Sequence, residues 1–131
     1  MIYVDSCIPM YLVGGDHPLK SRTIELVSSL ISSGEELVTS AEVFQEIIHR
    51  YVAIRKKKDL RICYSALEEM VTQVFEVGKV HTDLALRFLA EYDKLSSRDL
   101  LHLGVMKEYG CVKIWTYDSG FDQVDGITRI S

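Results

Sequence analysis

Cysteine is scarce and scattered in this sequence: Cys7, Cys63 and Cys111 are the whole complement. An odd number with no close spacing argues against a disulfide framework and a zinc knuckle, and predicts a protein of the reducing cytoplasm. Pro9 and Pro18 are the only prolines, and there is no repeat, linker or low-complexity stretch. No apolar run approaches the ~18 residues of a membrane span. The first residues lack the basic and long apolar regions of a secretory signal. Positive charge is also short, with 15 Lys and Arg against 19 Asp and Glu and a net charge of -4. Nucleic-acid binders are usually basic. A role on nucleic acid must therefore rest on a local basic patch or on metal ions.

What is present suffices for a packed fold. The 131 residues, 47% of them hydrophobic, predict one domain spanning 1–131 with a substantial core. Ile2-Tyr3-Val4 reads as a buried parallel strand ending at Asp5. Cys7 to Val13 is at best a short helix with Pro9 in its first turn. A helix follows from the Gly14–Pro18 turn to about Ser33. Leu37-Val38 is a second strand, with Thr39-Ser40 as N-cap candidates for the next helix. That helix carries Phe44, Ile47, Ile48, Tyr51 and Val52, and continues to the run Arg55-Lys56-Lys57-Lys58. Further helices are predicted over Leu60–Phe75 and from His81 to Leu95, with a short strand at Val77–Val80 between them. A more apolar helix opens at Asp99 and ends at Tyr109-Gly110, where glycine takes the left-handed conformation. Cys111–Trp115 and Ile127–Ile130 complete the strands. Strands alternating with helices imply a parallel sheet covered by helices, with ligands beyond the carboxyl ends of the strands.

The acidic residues fall where that rule places a site. Asp5 ends the first strand, Asp118 follows a late one, and Asp99 opens the buried helix between them. Glu42 and Glu46 lie four apart on one face of the helix after the second strand, and periodicity does not choose between them. Asp122 is close enough to Asp118 to contribute from the loop. Each acid alone has an ordinary explanation: a turn at Asp5, a capping box from Ser96 to Asp99, an Asx-turn from Asp118 to Gly120. Gathered in one cleft, carboxylates repel unless a cation neutralises them, and hard cations such as Mg²⁺ or Mn²⁺ suit all-oxygen ligands. Ser6 and Thr116 are candidate hydroxyls for orienting those carboxylates. The four histidines show no metal-binding spacing, and His102, one turn after Asp99, is expected to be structural. Arg55 to Lys58, with Arg61, is the only dense basic run. It is either a solvated helix end or a grip on an RNA backbone.

Ile2-Tyr3-Val4-Asp5-Ser6, Thr39-Ser40 with Glu46, Ser97-Arg98-Asp99-Leu100-Leu101-His102, and Thr116-Tyr117-Asp118 with Phe121 resemble the four acidic motifs of PIN-domain ribonucleases. The small VapC-type toxins of toxin–antitoxin pairs look most similar. The resemblance runs in order over nearly the whole chain. It implies a three-layer α/β/α sandwich with a short, mainly parallel central sheet, and a Mg²⁺- or Mn²⁺-dependent endoribonuclease. It also implies a metal site of Asp5, Glu46, Asp99 and Asp118, favouring Glu46 over Glu42, with an RNA substrate, a small antitoxin partner and a homodimer. Apolar residues such as Ile48, Tyr51 and Tyr64 are expected to remain partly open for such partners. Two other roles on the same fold are a housekeeping RNA-processing nuclease and a non-catalytic PIN-like binding module; the four acids argue against the second. A phosphoacceptor receiver-like domain would need adjacent acids at the first strand and a late lysine, and neither is supplied.

Overall fold

In a computed structural model describing residues 1–131, five short strands form one parallel sheet in the order β3-β2-β1-β4-β5. The strands are β1 (Ile2–Val4), β2 (Leu37–Ser40), β3 (Gln73–Phe75), β4 (Lys113–Trp115) and β5 (Thr128–Ile130). The helices are α1 (Cys7–Val13), α2 (Pro18–Ser32), α3 (Ala41–Ala53), α4 (Lys57–Met70), α5 (Lys79–Leu89) and α6 (Ser97–Tyr109). A 3₁₀ turn covers Ser119–Gln123. Helices α1 to α4 pack on one another, α5 packs on α6, and the two groups flank the sheet as a three-layer α/β/α sandwich.

The central strand explains the whole. Ile2, Tyr3 and Val4 have no exposed surface. A strand apolar at every position belongs in the middle of a parallel sheet. Tyr3 pairs with Val38 on one side and Ile114 on the other. Going out from β1 the connections run in opposite directions, to β2 and then β3 and to β4 and then β5. The carboxyl ends of β1 and β4 therefore border the topological switch point, where open α/β sheets bind ligands.

Two glycines fix the helix that delivers Asp99. A Cβ on Gly104 would lie 2.7 Å from the His81 carbonyl oxygen and 3.3 Å from Leu84 Cβ, so glycine there sets the close approach of α6 to α5. Gly110 ends α6 at φ 72°, in the left-handed conformation expected of it.

Several boundaries differ from the sequence expectation. The third strand is Gln73–Phe75, not Val77–Val80; Gln73 and Val74 are exposed because β3 is an edge strand, which weakens its apolar signal. Gly78 instead precedes α5, which begins at Lys79 and stops at Leu89 rather than Leu95. The helix predicted over Leu60–Phe75 is α4, ending at Met70. Helix α3 stops at Ala53, short of the basic run; Arg55, at φ 57°, and Lys56 form the break, and Lys57 and Lys58 open α4. Ser40 stands at the N-cap position of α3 without capping it, because its hydroxyl is bonded to Tyr3.

Candidate metal centre

Four elements bring acids to the switch point. Asp5 leaves β1, Glu46 lies on α3, Asp99 in the first turn of α6, and Asp118 just past β4. They line one cleft of about 380 Å³ together with Ser6, Cys7, Tyr11, Ser96, Arg98 and Tyr117. Arg98 is the only basic side chain in that lining. Glu42 and Asp122 are not in it. Of the two glutamates on α3 the fold turns Glu46 inward. The Asp122 carboxylate is taken by Arg129, whose Nε and Nη2 donate to its two oxygens at 2.7 and 2.9 Å.

Three of the four carboxylates are held by donors. Thr116 Oγ1 donates to Asp5 Oδ2 at 2.6 Å, and the Ser6 backbone N–H to Asp5 Oδ1 at 2.7 Å. The Ser6 hydroxyl donates to Glu46 Oε2 at 2.8 Å. Asp118 Oδ1 accepts from the Gly120 backbone N–H at 2.8 Å, so the Asx-turn is real and the residue still borders the cleft. Ser96 caps α6 by accepting the Asp99 N–H at 3.2 Å. That bond uses the Asp99 backbone and leaves its carboxylate to the cleft.

His102 does more than fill the core. It is fully buried, and both ring nitrogens are engaged: Nε2 lies 2.5 Å from Glu46 Oε1, and Nδ1 2.8 Å from the Tyr3 hydroxyl. The Tyr3 hydroxyl is in turn 2.6 Å from Ser40 Oγ. Nε2 is also 3.9 Å from Asp5 Oδ1, and one ligand atom from each of Asp5, Glu46 and His102 falls within 4.8 Å of the others. With both nitrogens already committed behind Glu46, His102 orients the carboxylate rather than offering itself as a ligand. Its place three residues after Asp99, on the same face of α6, was the one available sequence signal.

The electrostatics are those of an uncompensated acidic site. Burial first, then the charges of Asp5 and Asp118, push the Asp99 carboxyl from 3.8 up to about 6. Burial also works against ionised Glu46, but hydrogen bonds from His102 and Ser6 outweigh it and hold the carboxyl below its ordinary value. The all-oxygen donor set and the raised Asp99 fit a hard divalent cation, whose charge would relieve the repulsion.

The basic run lies apart from this cleft. Arg55, Lys56, Lys57 and Lys58 are exposed and line a separate hollow of about 680 Å³ with Val52 and Asp59. The end of α3 is roughly 10 Å along the helix axis from Glu46, at 1.5 Å per residue. No helix is long and apolar enough to cross a membrane.

Residues 2–127 match the PIN domain family. Ribonuclease VapC13 of Mycobacterium tuberculosis is 43% identical over 131 residues, covering 100% of both chains. Among solved structures, VapBC2 from Rickettsia felis, bound to a DNA fragment from its promoter, superposes with a TM-score of 0.73 at 14% identity, covering 99% of this chain and 98% of that one. Mycobacterium tuberculosis VapC20, described as a sarcin-ricin loop cleaving toxin, gives 0.69 at 19% identity over 93% of each chain. At such identities the two structures attest the fold.

Proposed function

This chain belongs to the PIN-domain family, and on that premise we propose that it is a Mg²⁺- or Mn²⁺-dependent endoribonuclease, the toxin of a toxin–antitoxin pair, with residues 1–131 working as one domain in the cytoplasm. The observation that carries this is the convergence of Asp5, Glu46, Asp99 and Asp118 on one cleft, with a single cation, Arg98, among them. The VapC names of the relatives favour a toxin over a housekeeping RNA-processing enzyme.

Asp5, Asp99, Asp118 and Glu46 would hold the cation. When bound, such an ion supplies Lewis acidity at the phosphate and a water ionised near neutral pH. The chain's own residues prepare that chemistry. Thr116 and Ser6 fix the lone-pair directions of Asp5 and Glu46. His102 keeps Glu46 ionised and aimed into the cleft. Arg98, at the exposed lip, is placed to bind a phosphate oxygen of the incoming strand. Arg55 to Lys58 grip the backbone further along. Hydrolysis by water leaves a 5′-phosphate and a 3′-hydroxyl and needs no 2′-hydroxyl.

Apolar side chains on α3 and α4 support docking of a small antitoxin and a second copy of the chain. Ile48, Val52, Ile54 and Ile62 are exposed and Tyr64 is half-buried, whereas Tyr51, expected to be open, is buried. The enzymatic reading is tested by incubating the purified protein with RNA in Mg²⁺, Mn²⁺ or EDTA. Cleavage is expected only with the metals, with 5′-phosphate products. Cutting in EDTA, or 2′,3′-cyclic phosphate ends, would overturn it.

A further inference from the structure

The acidic cleft can hold a metal and a phosphate, but its charged lining offers nothing to a nucleobase. Two rings in the lining, backed by a third, do. Tyr117 follows β4 and lines the cleft, and its hydroxyl is 2.7 Å from Thr23 Oγ1. Thr23 is fully buried on α2 and donates to the Leu19 carbonyl at 2.6 Å, so Tyr117 is pinned from behind. Tyr11, on α1, also lines the cleft and meets Tyr117 edge-on, with ring centroids 5.6 Å apart at 77°. His17 packs on Tyr11 at 4.9 Å, and its own ring is fixed by accepting the Leu19 N–H at 3.1 Å.

Tyr11 packs on the other two rings rather than on the core. It is half-buried, but it is not among the hydrophobic residues packed against the core, although its neighbours Met10 and Leu12 are. Two braced rings thus hold a third beside the acids, with part of its surface left to solvent. The far end of α1 points the same way. Val13, Gly14 and Gly15 share a hollow of about 210 Å³ with Lys56, so α1 joins the cleft to the basic run.

We propose that Tyr11, braced by Tyr117 and His17, is the platform on which the unpaired nucleobase beside the scissile phosphate stacks, making it a substrate-positioning residue. The proposal rests on the ribonuclease reading above. Single-stranded RNA is recognised largely by stacking of splayed bases on aromatic side chains. A cleft rich in carboxylates repels the phosphate backbone until a metal is bound, so a contact to the base, which carries no charge, holds the strand where backbone contacts are weakest.

The test uses the Asp99→Asn protein with Mn²⁺, so that RNA stays whole, and short single-stranded RNAs each carrying one 2-aminopurine at successive positions. Binding is expected to quench the probe strongly at one position. Tyr11→Leu in the same background should lose that quench and bind roughly tenfold more weakly; Tyr11→Phe should retain both. An abasic nucleotide at the quenched position should weaken binding by the Tyr11 protein and leave the Tyr11→Leu protein unaffected. If no position is quenched in the bound parent complex, or if Tyr11→Leu binds and quenches like the parent, the platform is overturned. That outcome leaves the ribonuclease reading standing so long as wild-type protein cuts RNA in Mn²⁺. Wild-type protein that leaves every RNA intact, with no RNA bound, overturns both.

Discussion

His102 and Glu46 form a buried pair, Nε2 to Oε1 at 2.5 Å, that ties α6 to α3 directly beneath the acidic cleft. Burial disfavours the imidazolium, but the bond to Glu46 and the charges of Asp5, Glu46 and Asp99 outweigh it and raise His102 above 6.5. A raised histidine stabilises the fold fully below its unfolded value and loses that contribution as pH rises through the folded one. Lowered Glu46 contributes above 4.5 and loses its share as pH falls through its folded value. Both contributions are complete only in the window from 4.5 to 6.5. In urea melts with EDTA, His102→Leu should therefore cost roughly 2–4 kcal/mol near pH 6, because it removes the partner of Glu46 Oε1 and one of the two partners of the Tyr3 hydroxyl. The gap should narrow at higher pH. A gap that stays constant from about pH 6 to about pH 9 would mean that His102 is neutral throughout.

Asp99 has the opposite sign from an ordinary paired carboxylate. With its pKa moved from 3.8 to about 6, the folded protein holds a proton across that window that the unfolded chain has released. Stability without metal must therefore fall as pH rises through it. Asp99→Asn removes the charge. Allowing for the solvent access of this side chain, the variant should exceed wild type by about 1 kcal/mol near pH 7 in EDTA, and the advantage should vanish near pH 4. It should also abolish cleavage and reduce the stabilisation gained from Mn²⁺. An Asn variant that is less stable in EDTA yet cuts RNA would return Asp99 to a capping role.

Thr116 tests whether the hydroxyls orient the acids. It is fully buried, donates to Asp5 at 2.6 Å and accepts the Asp118 N–H at 3.1 Å, so one hydroxyl bridges two proposed ligands. Thr116→Val keeps the shape and removes both bonds. Activity should drop about 10- to 100-fold, the usual cost of losing such a support, and Thr116→Ser should recover most of it. Equal activity in the Val and Ser variants would make Thr116 ordinary core.

Much of this site is written in short-range sequence features. Asp5 could be read because β1 is apolar at every position and stops at it; Asp99 because Ser96 and Gly110 bracket an apolar helix; Asp118 because it follows the next strand. The choice of Glu46 over Glu42 was not legible from periodicity, since it depends on how α3 rotates against β1. Nor was the chain from Ser40 through Tyr3 and His102 to Glu46, whose members come from four elements and carry no common spacing. Asp122 looked available because Arg129, seven residues on, meets it only once β5 folds beside β4. The misplaced third strand has a related cause. An edge strand buries one residue in three here, and Val77–Val80 imitates a strand better than Gln73–Phe75 does.

The exposed apolar residues of α3 and α4 should report association. Val52→Asp and Ile62→Asp each place a charge at a position more than half exposed, so monomer stability should change by less than about 0.5 kcal/mol. If that face takes a second copy or an antitoxin, the same variants should shift light-scattering mass towards monomer, or weaken capture of a VapB-type antitoxin. Unchanged association in both variants would remove α3 and α4 from the interface.

Arg55 to Lys58 separate a grip on RNA from a solvated connection by their salt dependence. All four are exposed, across the α3–α4 break and the first turn of α4, so neutralising them should leave stability within about 0.5 kcal/mol of wild type. Each cation on a single-stranded phosphate contributes about 0.7 to the slope of log K against log salt. Lys56→Gln with Lys57→Gln should then lower that slope by about 1.4. KM should rise with kcat nearly unchanged, because these side chains lie well away from the carboxylates and bind ground state and transition state alike. A fall in kcat at constant KM would instead place the lysines at the chemistry. An unchanged slope and KM would leave the run as a solvated helix start, with the strand held at the cleft alone.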